Sequence, residues 1–151
     1  MEDYRKAIVT IIEEYFSTGD VELAASELRN FESEKHHHYF VKKLISTAMD
    51  RHDKEKEMAS VLLSALYVDA LSSSKIKRGF VMLLESADDL SVDIPDAVEV
   101  LALFIARAVV NEILLRFFFL KQKRDFLRPP RDLKLYKLLK RNIYRLLTML
   151  N

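Results

Sequence analysis

Two stretches of this chain hold enough titratable side chains to suggest chemistry. The first, His36-His37-His38, offers three imidazoles in a row. Consecutive helical residues point about 100° apart, so the three do not converge on one ion, and a metal site needs three or four convergent ligands with their outer partners in place. The second, Asp50-Arg51-His52-Asp53 with Glu55 and Glu57, mixes acids and an imidazole as an acid/base site would. Its position between two apolar helical stripes gives it a simpler duty: it ends one helix and opens the next, with Asp53 as cap. No glycine-rich phosphate loop, no nucleophile with a base and an orienting group, and no metal-ligand spacing is found. The expectation is a protein that is not an enzyme and takes no cofactor or metal.

A third stretch points to docking instead. Between Glu85 and Asp96 the chain places five carboxylates, Glu85, Asp88, Asp89, Asp93 and Asp96, with no cation among them. Carboxylates crowded on a turn raise the local negative potential, which steers a basic partner and fixes its register, and forked guanidinium pairs supply the stronger contacts. All five are candidate partner-binding residues. Asp93 also reads as a helix N-cap, with Pro95 in the first turn and Asp96 three residues on, so the residues leave open capping alone or capping together with docking. Asp89 has no such structural duty, while Asp88 and Glu85 can also be read as solubilising a helix end.

The elements that must position this turn follow from periodicity. Tyr4, Ala7, Ile8, Ile11, Ile12, Tyr15 and Phe16 form a first buried stripe, Gly19 is a left-handed stop, and Asp20 caps a helix that buries Val21, Ala24, Ala25, Leu28 and Phe31. Phe40, Val41, Leu44, Ile45, Ala48 and Met49 make the third stripe, and Met58, Val61, Leu62, Ala65 and Leu66 the fourth. After Ser72-Ser73-Ser74, Ile76, Phe80, Leu83, Leu84 and Ala87 form the fifth; the acidic turn then leads to Val98, Leu101, Phe104, Ile105, Ala108 and Val109. With two glycines, three prolines and no alternating β-branched runs, strands are not expected. The predicted architecture is all-α: a HEAT-like stack of about three antiparallel helix hairpins with an additional C-terminal helix or helices.

At 151 residues the chain suits one domain burying roughly 70% of its unfolded surface. Zero cysteines exclude disulfides and thiolate metal sites, and no signal-peptide pattern opens the sequence, so a reducing compartment, the cytoplasm with the nucleus as a second location, is expected. The apolar window from Leu101 to Leu120 contains Arg107, Asn111, Glu112 and Arg116, which argues against a transmembrane helix.

The wording of the chain resembles the MA3 domain of programmed cell death protein 4-like translation regulators. The segments carrying the resemblance are Ile11-Ile12-Glu13-Glu14-Tyr15-Phe16-Ser17-Thr18-Gly19-Asp20-Val21, Met49-Asp50-Arg51-His52-Asp53-Lys54-Glu55-Lys56-Glu57-Met58 and Asp93-Ile94-Pro95, followed by Ala102 to Val110. The middle segment is most similar to plant proteins that string several MA3 domains together. The resemblance implies an adaptor that binds the DEAD-box helicase of translation initiation, eukaryotic initiation factor four-A. In the family, acidic residues in the turn before the last helix pair dock on basic residues of the helicase's amino-terminal RecA-like domain and hinder RNA binding and domain closure. Carried over by position, those contacts fall on Asp89 and Asp93. Further MA3 domains are expected in a longer relative.

Residues 1–115 are thus expected to form the MA3-like helical domain, and 116–151 a basic amphipathic tail atypical of the family. Net charge divides accordingly: −8 over residues 1–112 and +9 over residues 113–151. Leu135, Leu138, Leu139, Ile143, Leu146, Leu147 and Leu150 make an apolar stripe beside Lys134, Lys137, Lys140, Arg141 and Arg145. Three readings stay open: a helix packed on the hairpins, its cations near the acidic turns; a segment for a partner, RNA or an anionic membrane; or the product of an altered transcript or gene model. Two functions follow, a helicase-binding regulator of cap-dependent translation acting through the acidic turn, or a helical scaffold whose basic tail binds RNA or ribosomes.

Overall fold

The computed structural model describes residues 2–30, 36–111 and 141. It is all-helical, with seven helices and no strand among the described residues, and it divides into two compact units, Met1–Gly79 and Phe80–Asn151. The tail readings lie outside the described residues, as does Phe31.

The first unit is built from α1 (Glu2–Thr18), α2 (Val21–Arg29), α3 (His37–Met49), α4 (Asp53–Asp69) and the start of α5 (Ser73–Glu85). α1 pairs with α2 and α3 with α4, and the hairpins stack with α1 on α3 and α2 on α4, the two-layer arrangement of HEAT-like repeats. The first turn is sharp because Gly19 takes φ +71°, a conformation that costs any other L-residue steric energy. Asp20 then caps α2, its Oδ1 accepting from the Leu23 amide at 3.0 Å. Ile8, Ile11, Ile12, Tyr15 and Phe16 face Ala24, Ala25 and Leu28 in the core, and the whole predicted α3 stripe from Phe40 to Met49 is buried. Tyr4, Ala7 and Val21 are only partly covered.

Contacts between helices add what periodicity cannot show. The Tyr15 hydroxyl donates to the Met58 carbonyl at 2.8 Å. Arg51 pairs with Glu13 at 2.6 Å and lies 5.7 Å from the centre of the Phe16 ring. At Gly79 an added Cβ would sit 2.7 Å from Val41 Cβ and Cγ1 and 3.0 Å from the His38 carbonyl oxygen, so α5 crosses α3 only because this position lacks a side chain.

Two expectations for α4 are corrected. Its buried face is Ala59, Leu62, Leu63 and Leu66, leaving Val61 and Ala65 exposed. The helix is turned by about one residue from the predicted stripe; Val61-Leu62-Leu63 is apolar on all sides, so periodicity defines its inward direction weakly. The cap is His52 rather than Asp53, and the His52 amide donates to Glu55 Oε1 at 3.1 Å, as in one half of a capping box.

The second unit contains the end of α5, then α6 (Ala87–Asp93) and α7 (Ala97–Val110). Here the predicted acidic turn is itself helical, and Ala87 opens α6 rather than closing α5. α7 packs on α6 and buries Ala97, Val100, Leu101, Ala102, Phe104, Ile105, Ala106, Ala108 and Val109, with Val98 partly covered. Its open side is the pair Glu99 and Leu103, four residues apart, with Arg107 half-covered one turn further on. No helix among the described residues is long and apolar enough to cross a membrane.

Candidate functional site: an acidic face on α6

α6 buries Ala87 and tucks Ile94, just past its end, into the core, with Leu90 and Ser91 half-covered between them. That inward row, spaced 3, 4 and 7 residues from Ala87, leaves positions 88, 89, 92 and 93 outward. The helix is closed by backbone bonds from Leu90 to Ser86 and from Ile94 to Leu90, both 2.9 Å, and by Ser91 Oγ donating to the Ala87 carbonyl at 2.8 Å. A three-residue turn leads into α7, whose first bonds run from Ala97 to Ile94 at 2.9 Å and from Val100 to Asp96 at 3.0 Å.

All five predicted carboxylates, Glu85, Asp88, Asp89, Asp93 and Asp96, are exposed. Asp89 and Asp93 stand four residues apart on one helix and so share a face, with Cβ atoms about 5–6 Å apart. Asp88 flanks them, Glu85 ends α5, and Asp96 begins α7. No cation among the described residues pairs with any of the five, and the only Lys or Arg between Phe80 and Asn111 is Arg107, against six acids.

The expected cap at Asp93 is corrected. Asp93 is the last residue of α6, and the N-cap of α7 is Asp96, whose side chain makes no capping bond. Capping occupies neither carboxylate. Helix formation over 87–93 shifts the boundary that the sequence assigned to Asp93, because Leu90 and Ile94 give the segment enough apolar surface to pack helically.

Sequence reasoning also missed Val92, which is 81% exposed in the middle of this face. Its signal was legible: an apolar residue between two aspartates with no apolar partner at helical spacing outside the core row. The three histidines do not gather. His36 precedes α3 and stacks on Tyr4 at 3.9 Å, and His37 is buried in the first turn. No group of three or more potential ligands capable of holding a metal occurs among the described residues. An open groove of about 320 Å³ between α1 and α3 is crossed by the Arg51–Glu13 pair, with Lys43, Ser46 and Asp50 at its edge, and brings no nucleophile beside a base.

The fold and this face define a HEAT-like, all-helical module displaying one anionic helix. The sequence model of the MA3 domain matches residues 4–115, and the chain belongs to the MA3 domain family. It is 62% identical over 124 residues to MA3 domain-containing translation regulatory factor 1 of Arabidopsis thaliana, covering 82% of this chain and 18% of that protein. With translation regulatory factor 3 of the same plant the identity is 66% over 114 residues, 76% of this chain and 16% of the relative. Human eukaryotic translation initiation factor 4 gamma 2 is 32% identical over 114 residues, 74% of this chain and 13% of that protein. The chain thus spans less than a fifth of the length of these relatives.

Proposed function

We propose that this chain is a non-enzymatic, translation-related interaction module of the cytoplasm. In this reading it binds the amino-terminal RecA-like domain of the DEAD-box initiation helicase, eukaryotic initiation factor four-A, and represses cap-dependent initiation by hindering the helicase's access to RNA. The observation that carries the reading is the exposed Asp89–Asp93 pair on one face of α6, unpaired with any cation among the described residues. Membership of the MA3 family and the translation-factor names of the relatives support it.

An anionic face of this kind contributes association rate and register, and its bidentate contacts to arginines supply the stronger bonds. Glu85, Asp88 and Asp96 extend the field around the central pair. Calorimetric titration of the chain and of Asp89→Lys into the purified amino-terminal domain tests the reading. Binding by the native chain that is lost in the variant is expected; no binding by a natively folded chain overturns it.

The charge of +9 over residues 113–151 favours a second reading, in which that segment contacts RNA or ribosomes. Substituting its lysines and arginines would then weaken a steeply salt-dependent RNA affinity, while Asp89→Lys would leave that affinity intact.

A further inference from the structure

Val92 is the most exposed of the large apolar side chains described, at 81%. It is not part of the packed row of α6, which runs through Ala87, Leu90, Ser91 and Ile94. A β-branched residue is also an indifferent helix former, so neither packing nor propensity accounts for a valine at this position in a seven-residue helix. If the face served solubility alone, a polar side chain would serve better.

Its exposed neighbours on α6 are anionic. Asp88 lies four residues before it and Asp89 three before it on the same helix face, while Asp93 is next to it in the chain and Pro95 is exposed just beyond, so Val92 stands beside carboxylates on the outward side of the helix. An apolar centre with a charged, solvent-accessible rim is how energetically dominant contacts are arranged in protein interfaces: the rim steers, and the desolvated centre sets the lifetime.

These carboxylates also select the occupant. A second copy of α6 brought against this one would oppose aspartates to aspartates, and nucleic acid or an anionic lipid surface would be repelled in the same way. The complementary occupant is a basic protein face.

Resting on the helicase-binding reading above, we propose that Val92 is the specificity-determining anchor of the α6 face, inserting into an apolar recess between cationic side chains of the partner. The acids bring any basic surface close, and Val92 retains only one that offers the recess. The two roles separate kinetically. Asp89 governs the salt-dependent association rate, and Val92 governs dissociation.

Surface-immobilised amino-terminal RecA-like domain, probed with the full chain, Val92→Ala, the isosteric Val92→Thr and Asp89→Lys at low and high salt, tests this. Because Val92 is exposed, both of its variants should keep the native circular dichroism. They are expected to dissociate roughly fivefold faster or more, with association rate and salt dependence unchanged, while Asp89→Lys slows association. Native dissociation rates in both Val92 variants, with Asp89→Lys still defective, would overturn the anchor and leave the helicase-binding reading standing. Absence of binding by the native chain would overturn both.

Discussion

At Asp93 stability and the proposed docking make opposed demands. The carboxylate sits at the C-terminal end of α6, where the helix dipole disfavours negative charge, and four residues from the like charge of Asp89. Asp93→Asn should therefore stabilise the chain by about 0.3–1 kcal/mol in urea denaturation while weakening helicase binding in calorimetry. Unchanged stability would mean that the two carboxylates are fully screened. Tyr15 illustrates the opposite case, a buried side chain whose hydroxyl is bonded to the Met58 carbonyl. Burial raises its phenol above the ordinary 10.0, so the contribution of the neutral, hydrogen-bonded form is complete below that value and is lost as pH rises through the raised one. Tyr15→Phe should cost about 0.5–1.5 kcal/mol at neutral pH with an unchanged denaturant slope. Asp89 was legible as a carboxylate without a structural duty because it follows no capping pattern, and the structure leaves it exposed. Asp93 was misread as a cap because Asp-Ile-Pro is a helix-start signal whether or not another helix has just ended.

Between elements, the fit of α5 against α3 depends on Gly79. Alanine there would gain about 1 kcal/mol in helix propensity, yet its Cβ would lie 2.7 Å from Val41. We expect Gly79→Ala to be destabilising by roughly 1–3 kcal/mol net; in a thermal-denaturation double-mutant cycle its cost should be smaller in a Val41→Ala background, which removes Cγ1 but keeps the Cβ also 2.7 Å away. The α1–α2 hairpin carries a different tension. Partial burial of Glu27, together with the repulsion and shared hydrogen bond of Glu14, raises the Glu27 carboxyl above its ordinary 4.5. The folded state therefore holds this proton more tightly than the unfolded chain, and its stabilising effect is complete below 4.5 and lost as pH rises through the raised value. Glu27→Gln should be more stable than the native chain at neutral pH, with the difference shrinking as pH falls toward 4.5. A difference independent of pH would show that the two carboxylates do not interact.

Over the whole molecule, electrostatics act at longer range than any single pair. Among the described residues, the six acids and one base between Phe80 and Asn111 give the α6 face a negative field, whose reach shrinks from about 10 Å at 0.1 M salt to about 3 Å at 1 M. Association with a basic partner should therefore slow steeply as salt rises, while dissociation changes little. Stopped-flow mixing at several salt concentrations measures both, and a salt-insensitive association rate would mean that the acidic face is not the encounter surface. The helices and hairpin order were legible because each stripe repeats at helical spacing. The direction of α4 was less so, because Val61-Leu62-Leu63 gives its apolar moment no sharp heading.

The amino-acid sequence by itself determined an all-helical chain, the Gly19-Asp20 turn with its cap, the buried stripe of α3, the acidity of residues 85–96 and the wording of the MA3 family. These depend on backbone conformation, periodicity and charge, all of which are local. Tertiary structure alone decided that residues 87–93 form a helix and that Asp89 and Asp93 share its outer face. Those outcomes follow from which side of a short segment its neighbours bury, a long-range choice made when Ala87 and Ile94 enter the core and turn every residue between them.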